Sequence, residues 1–259
     1  MAGEAEFLSG TDVRTALVVI HGVGLRSWQY VDIDGRARVE GCIDIGAASD
    51  VQAQTTALRA DPKAAKSNLE HFGTAIKEIR YRWKDKIVPF TVDPDLSDPQ
   101  RVIKAIEHWH QKTPIRFVER TVEHKDFVTF RAGSGCSSSV GRQGGQQFVT
   151  LGHECTAGNC IHEIGHTVGL WHEQSRIDRD LFIQISFQNI IPGMEHNFVQ
   201  HVHDGIDLGD YDYASIMHYP ANAFSRDGQP TILPIGGQSI GQRETLSPRD
   251  VAAVAMIYP

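Results

Sequence analysis

Apolar residues recur at helical spacing in some stretches of the chain and run together in others. Val102, Ile103, Ile106 and Trp109 predict a helix with these side chains on its buried face. Asp98-Pro99 reads as its start, with Asp98 as N-cap and Pro99 as first helical residue. Ser247-Pro248 repeats that signal and opens a final helix through about Met256, with Val251, Val254 and Ala255 inward. Lys86–Val92, Phe117-Val118, Phe127–Phe130 and Gln147–Leu151 are rich in β-branched and aromatic residues and read as strands. Another helix is predicted over about Asn159–Leu170. Nearer the N-terminus, Leu17–Ile20 and Tyr30–Ile33 are short candidate strands. The Ala/Lys/Glu-rich segment Gln52–Phe72 reads as a loose helix, exposed enough to be a cleavage region. From Leu170 to Ser247 regular patterning is poor. The whole predicts an α+β fold with a sheet-and-helix upper half and an irregular lower half.

Composition narrows the class. The 259 residues carry a formal net charge of −7, with 41% hydrophobic and 22% charged residues. That is ordinary for a soluble globular chain and argues against nucleic acid as a partner. No apolar run approaches a membrane span. Ala16–Ile20 is too short for a signal-peptide core and lacks a basic leader, so we expect a signal removed upstream or a different natural start. The four cysteines are Cys42, Cys136, Cys155 and Cys160. An even count permits disulfides without proving them.

The chemistry concentrates in His162–Glu173, which reads H-E-I-G-H-T-V-G-L-W-H-E. His162 and His166 are four apart, so on a helix their imidazoles share one face and can reach one metal ion. Glu163 points to a different side, suited to the metal's water as general base. Gly169 lets the chain leave the helix with positive φ and bring His172 back as a third ligand. A bare HExxH arises by chance in roughly a few chains per hundred; Gly169 and His172 at fixed offsets lower that to about one in ten thousand. Three neutral imidazoles leave Zn²⁺ an open position for water, as in catalytic rather than structural sites. Downstream, Ser215-Ile216-Met217-His218-Tyr219 resembles the methionine turn that lies beneath the metal in metzincins.

Within the metzincins, the chain resembles the astacin family of zinc endopeptidases. That family continues its zinc motif as H-E-x-x-R-x-D-R-D, and this chain has His172, Glu173, Arg176, Asp178, Arg179 and Asp180 in those places. The match runs on through Asn189-Ile190, Gly193 and Asn197-Phe198. Upstream it includes Gly135-Cys136, Val140-Gly141-Arg142, Gly144-Gly145 and Gln147. The resemblance covers about Thr74 to the C-terminus. It implies a two-subdomain protease with twisted sheet, zinc helix, Met-turn and C-terminal helix, preceded by a small prosegment. The expected division is 1–73 prosegment and 74–259 catalytic domain, with an upper subdomain of about 74–172 and a lower one of about 173–259. The resemblance also implies a Cys136–Cys155 disulfide. By the same resemblance the family's second, long-range bridge is expected to be absent, since Pro114 and Pro259 stand where its cysteines would be. Tyr219 matches a tyrosine that can ligate zinc and then stabilise the oxyanion, and Met217 supports the site. Glu173 is expected to meet the freed N-terminus near Thr74 or Ala75.

Astacin prosegments carry F-x-G-D, whose aspartate occupies the zinc in place of water. Here Val39-Glu40-Gly41-Cys42-Ile43 puts Cys42 at the aspartate's place. A thiolate is a softer zinc ligand than a carboxylate, so the resemblance points to a cysteine switch. Asp44 is the rival ligand, and a Cys42–Cys160 disulfide is the other rival. Cys160 by itself reads as a small buried hydrophobe. His196, His201 and His203 read as a solvated loop rather than a second metal site, and His153 likewise. The expected protein is a latent secreted endopeptidase acting on proteins or peptides and released by an activating protease or by autocatalysis. The competing functions are an inactive zinc-bearing binding module and a zinc deacetylase.

Overall fold

The computed structural model describes residues 7–8, 10, 12–20, 24–61, 79–201 and 205–259. The N-terminal part is an antiparallel meander of β1 (Val13–Ile20), β2 (Gly24–Ile33), β3 (Arg36–Val39) and β4 (Ile43–Ala47). The expected strands at Leu17–Ile20 and Tyr30–Ile33 are thus pieces of a longer hairpin. Ala16, Val18 and Tyr30 are buried, while Thr15, Arg26, Ser27 and Gln29 are exposed or half-buried and dilute the apolar pattern. Helix α1 (Ala48–Ala60) starts earlier than its composition suggested and packs Val51, Thr55 and Leu58 inward. The Thr55 hydroxyl accepts the Leu17 amide at 3.0 Å, tying helix to hairpin. The rest of the predicted Gln52–Phe72 helix, and the expected new N-terminus at Thr74-Ala75, lie outside the described residues.

The second part of the sheet is built on parallel pairs of β5 (Ile87–Val92) with β6 (Arg116–Glu119) and β7 (Phe127–Ala132). The edge strand β8 (Cys136–Ser138) runs antiparallel to β9 (Gln146–Leu151), which pairs in parallel with β7. One parallel pair, Ile43 with Ser138, joins β4 to β8 and makes the nine-stranded order β1-β2-β3-β4-β8-β9-β7-β5-β6. The N-terminal meander therefore covers an otherwise unpaired edge, which satisfies backbone donors and acceptors there.

Helix α2 (Gln100–Lys112) buries Val102, Ala105, Ile106 and Trp109. It begins one residue later than expected, with Pro99 at the cap, because Asp98 is at φ +50° and no side-chain cap forms. Ile103 is 39% exposed rather than buried, since it flanks the inward stripe. Helix α3 (Ala157–Thr167) is the predicted zinc helix, and α4 (Pro248–Ile257) closes the chain. Ser247 and Asp250 form a capping box on α4. Val254 and Ile257 face in; Ala255, expected inward, is exposed. The lower half is irregular as predicted, with one small antiparallel pair, β10 (Ile183–Ile185) and β11 (Ile232–Pro234).

Two apolar cores result. One joins the parallel strands, α2, α3 and α4 through residues such as Trp109, Phe130, Ile164 and Val254. The other joins the N-terminal meander to the lower half: Ala16, Val18, Tyr30 and Val39 share it with Trp171, Ile183, Phe198, Tyr219 and Phe224. The N-terminal part is thus welded to the lower half rather than loosely attached. The disulfide Cys136–Cys155 links β8 to the segment before α3. Replacing both cysteines by serine is expected to cost about 3 kcal/mol through a freed denatured chain. That corresponds to a melting temperature lower by about 6–12 °C in scanning calorimetry.

Candidate metal centre

Helix α3 is defined at its start by a capping box between Thr156 and Asn159. At its far end, the Trp83 indole donates to the Thr167 carbonyl at 2.8 Å and the Tyr258 hydroxyl to the Val168 carbonyl at 2.9 Å. These contacts satisfy carbonyls that a helix terminus leaves without partners. His162 and His166 lie on one face, ring centroids 4.7 Å apart. The chain then turns at Gly169, whose φ is +108°. A side chain is strained in that conformation. The turn returns His172 to 4.6 Å from the His166 ring and 5.3 Å from the His162 ring.

Each imidazole is oriented through Nδ1. His162 donates to the Ile216 carbonyl and His166 to the Leu170 carbonyl, each at 2.8 Å. His172 pairs with the Glu40 carboxylate at 2.6 Å. Burial pushes the pKa of His162 and His166 well below the usual histidine range, so both are neutral. The three Nε2 atoms converge on Cys42, whose Sγ lies 3.7, 3.4 and 3.2 Å from His162, His166 and His172. A tetrahedral zinc with Zn–S about 2.3 Å and Zn–N about 2.0–2.1 Å separates sulfur from nitrogen by about 3.6 Å. The donor set and its spacing fit zinc. Among the described residues this is the one group of His, Cys, Asp or Glu side chains that could hold a metal ion.

Cys42 is fully buried in the second apolar core, and the backbone directs its side chain. Glu40 and Gly41 sit at φ +47° and +67° and turn the chain so that the Cys42 amide donates to the Glu40 carbonyl at 2.8 Å. The Cys42 carbonyl then accepts the Ser138 amide at 3.0 Å at the start of the β4–β8 pair. A Cβ on Gly41 would meet Phe224 at 2.7 Å and Phe7 at 3.1 Å. Neither rival arrangement forms. Asp44 is held by Arg36 at 2.7 and 2.9 Å and by the Gly46 amide. Cys42 and Cys160 are both buried thiols outside any disulfide. Cys160 sits in the apolar core, and burial pushes its pKa up.

The other expected site residues surround this centre. Glu163 is fully buried. Arg38 on β3 is buried too; burial pulls its pKa down, and the charges of Asp44 and Glu163 oppose that. Met217 packs beneath α3, with its Sδ 2.5 Å from where a Cβ on Gly165 would stand. Gly165→Ala is therefore expected to displace Met217 and cost about 1–3 kcal/mol in denaturant melts, as overpacking does. Tyr219 is buried with its ring 4.5 Å from that of His172, and its hydroxyl donates to the Glu40 carbonyl at 2.7 Å. Glu173 accepts the Asp212 amide at 2.8 Å and lies 3.6 Å from Arg176. Burial pushes its pKa up to about 8. A cleft lined by Leu170, Glu173, Leu208, Asp212, Met217 and Asp250 opens beside it.

Sequence reasoning missed several residues. Glu40 also accepts from Ser175 Oγ at 3.2 Å and pairs with His201 Nε2. His201 was expected in a solvated loop; it is buried, its ring tilted against that of Trp171 with centroids 3.9 Å apart and edge-on to Trp28 at 5.9 Å. His203 lies outside the described residues, and His153 is exposed beside Glu154. Phe7 packs 4.7 Å from Tyr219 and 5.8 Å from Phe224. Arg243 donates to the Ile216 and His218 carbonyls and so braces the turn that carries Met217. Glu40 and Gly41 directly precede Cys42, which is the only cue the sequence offered for any of these.

The comparisons agree with this geometry. The family model for the astacin peptidases matches residues 75–259. Blastula protease 10 of Paracentrotus lividus is 39% identical over 191 residues, 68% of this chain and 32% of that protein. Zinc metalloproteinase nas-15 of Caenorhabditis elegans is 36% identical over 259 residues, 98% of this chain and 44% of that protein. The chain thus spans less than half the length of either curated relative. Among solved structures, high choriolytic enzyme 1, a hatching enzyme zinc-protease from Oryzias latipes, superposes with a TM-score of 0.63 at 35% identity. That match covers 68% of this chain and 92% of that one. The chain belongs to the astacin family of metzincin metalloproteases.

Proposed function

We propose that the chain is a latent zinc endopeptidase whose metal is held by His162, His166 and His172 and closed off by Cys42. The observation that carries this reading is the Cys42 sulfur facing all three Nε2 atoms at 3.2 to 3.7 Å. Zinc, when bound, supplies Lewis acidity toward a peptide carbonyl and acidifies a water. With its sulfur facing the three Nε2 atoms, Cys42 would take the place that the catalytic water needs. Removal of residues 1–73 takes Cys42 away and opens the cleft to a peptide.

Glu163 is the general base: its carboxylate takes the proton of the attacking water and passes it to the leaving amine nitrogen. Tyr219 in the latent chain already donates to a backbone carbonyl, that of Glu40. In the processed enzyme the same hydroxyl turns to the carbonyl oxygen of the scissile peptide, where negative charge develops. Glu173 receives the new α-amino group, which would replace its present pairing and suit a carboxylate that burial disfavours. The disulfide fits an oxidising, extracellular setting. No helix among the described residues is long and apolar enough to cross a membrane.

The test is a digest of a peptide library by the processed chain, read by mass spectrometry. Endoproteolytic cleavage, lost on chelation and restored by zinc, is the expected result. A processed, zinc-loaded chain that cleaves nothing overturns the enzyme reading in favour of a zinc-bearing binding module.

A further inference from the structure

The three metal-facing histidines are not oriented in the same way. His162 and His166 donate through Nδ1 to carbonyls of Ile216 and Leu170, close to the helix and the turn that they serve. His172 is oriented from much farther along the chain: its Nδ1 meets the carboxylate of Glu40, 132 residues away in the N-terminal part. The tripeptide Glu40-Gly41-Cys42 therefore grips both ring nitrogens of His172. Glu40 holds Nδ1 at 2.6 Å and Cys42 faces Nε2 at 3.2 Å. Glu40 is 4% exposed, and its carboxylate is itself fixed by Ser175 Oγ and His201 Nε2. Those two residues are joined in turn by the His201 amide donating to the Ser175 carbonyl at 2.9 Å.

We infer that Glu40 is a positioning residue for the metal: it orients His172 for zinc from within the N-terminal segment, and the enzyme loses this partner when the segment leaves. The inference rests on zinc occupying the three-histidine centre. A carboxylate on Nδ1–H fixes the tautomer that leaves Nε2 free and makes the imidazole a better donor. The N-terminal segment thus does two things at one histidine. Cys42 closes the metal, and Glu40 holds the one ligand that the zinc helix does not carry. His172 sits beyond the end of α3, on the turn after Gly169, outside the helix geometry that fixes His162 and His166. The full chain is then the better zinc-capturing form, and removal of residues 1–73 yields an enzyme that releases zinc more readily.

The experiment titrates zinc-loaded full-length chain with a chelator of known affinity and compares the parent with Glu40→Gln and Val18→Ala. Glu40→Gln keeps the shape but removes the charge. Val18→Ala removes apolar volume from the core that the meander shares with the lower half, at a side chain that makes none of the polar contacts to the three histidines. Glu40→Gln is expected to weaken zinc binding by about 10- to 100-fold, and Glu40→Asp by less. The strongly deshielded Nδ1 proton of His172, seen in the parent by nuclear magnetic resonance, is expected to move upfield in Glu40→Gln, where a neutral amide oxygen replaces the carboxylate. Val18→Ala is expected to keep zinc affinity within about threefold of the parent, well short of an outer-shell loss, and to keep the deshielded proton. Equal zinc affinity in Glu40→Gln and parent overturns the inference, as does an equal loss in Val18→Ala, which would make the effect one of general loosening. A parent chain that takes up no zinc at all is a different result: it removes the metal-centre reading on which the inference stands.

Discussion

Full-length chain carrying Cys42→Ser is expected to lose its grip on the metal while keeping its fold. Serine preserves the size of the side chain, and the β4–β8 pair, the Glu40–Tyr219 contact and the shared apolar core remain. What goes is the sulfur facing the three imidazoles. A neutral hydroxyl is a far poorer zinc ligand than a thiolate. Zinc should then leave to a chelator at least about 100-fold more readily, exceeding the loss typical of an outer-shell partner. The cobalt-substituted parent should show a near-ultraviolet thiolate-to-metal charge-transfer band that Cys42→Ser lacks. Peptide cleavage by the unprocessed variant should rise only in part, because Glu40 still occupies His172 Nδ1 and the Tyr219 hydroxyl. A parent without that band, or a variant with unchanged metal retention, would sink the role given to Cys42.

The second large effect concerns the processed enzyme. Glu163→Gln should lower kcat by about 10²- to 10⁴-fold, the usual contribution of a positioned general base. That is about 3–5 kcal/mol in the barrier. Zinc content should be unchanged, since Glu163 is not among the side chains whose donor atoms converge at the centre. Its position follows from helix geometry: it is the neighbour of His162 on α3 and is fully buried beside the metal-facing surface. If Glu163→Gln cleaves peptides as fast as the parent at equal zinc content, the proton must be handled by another group.

How far the sequence carried can be judged from particular residues. The α3 helix, the Gly169 turn and the return of His172 were legible because helix periodicity and one positive-φ glycine fix them locally. The Ser247-Pro248 start of α4 was legible for the same reason, as a capping box is a four-residue event. Asp98 was misjudged because backbone geometry at +50° outweighed its side chain's capping preference. Ala255 and Ile103 were misjudged because they flank an apolar stripe, where neighbouring elements decide which edge is covered. His201 looked solvated because its flanks are polar, yet Trp28 and Glu40 reach it from the other end of the chain.

By itself, then, the sequence determined the spacing of His162, Glu163, His166 and His172, the turn residues that serve them and, by resemblance, the family. Those are short-range properties in which each residue constrains the next few. The tertiary structure decided what the N-terminal segment does at that centre. It set the β4 strand on the β8 edge, directed the Cys42 sulfur to the imidazoles, kept Asp44 from that role by pairing it with Arg36, and placed Glu40 on His172. Each of these contacts but the Asp44 pair joins parts of the chain that the sequence separates widely. They depend on how a sheet edge and a shared apolar core bring those parts together, and no local pattern encodes that.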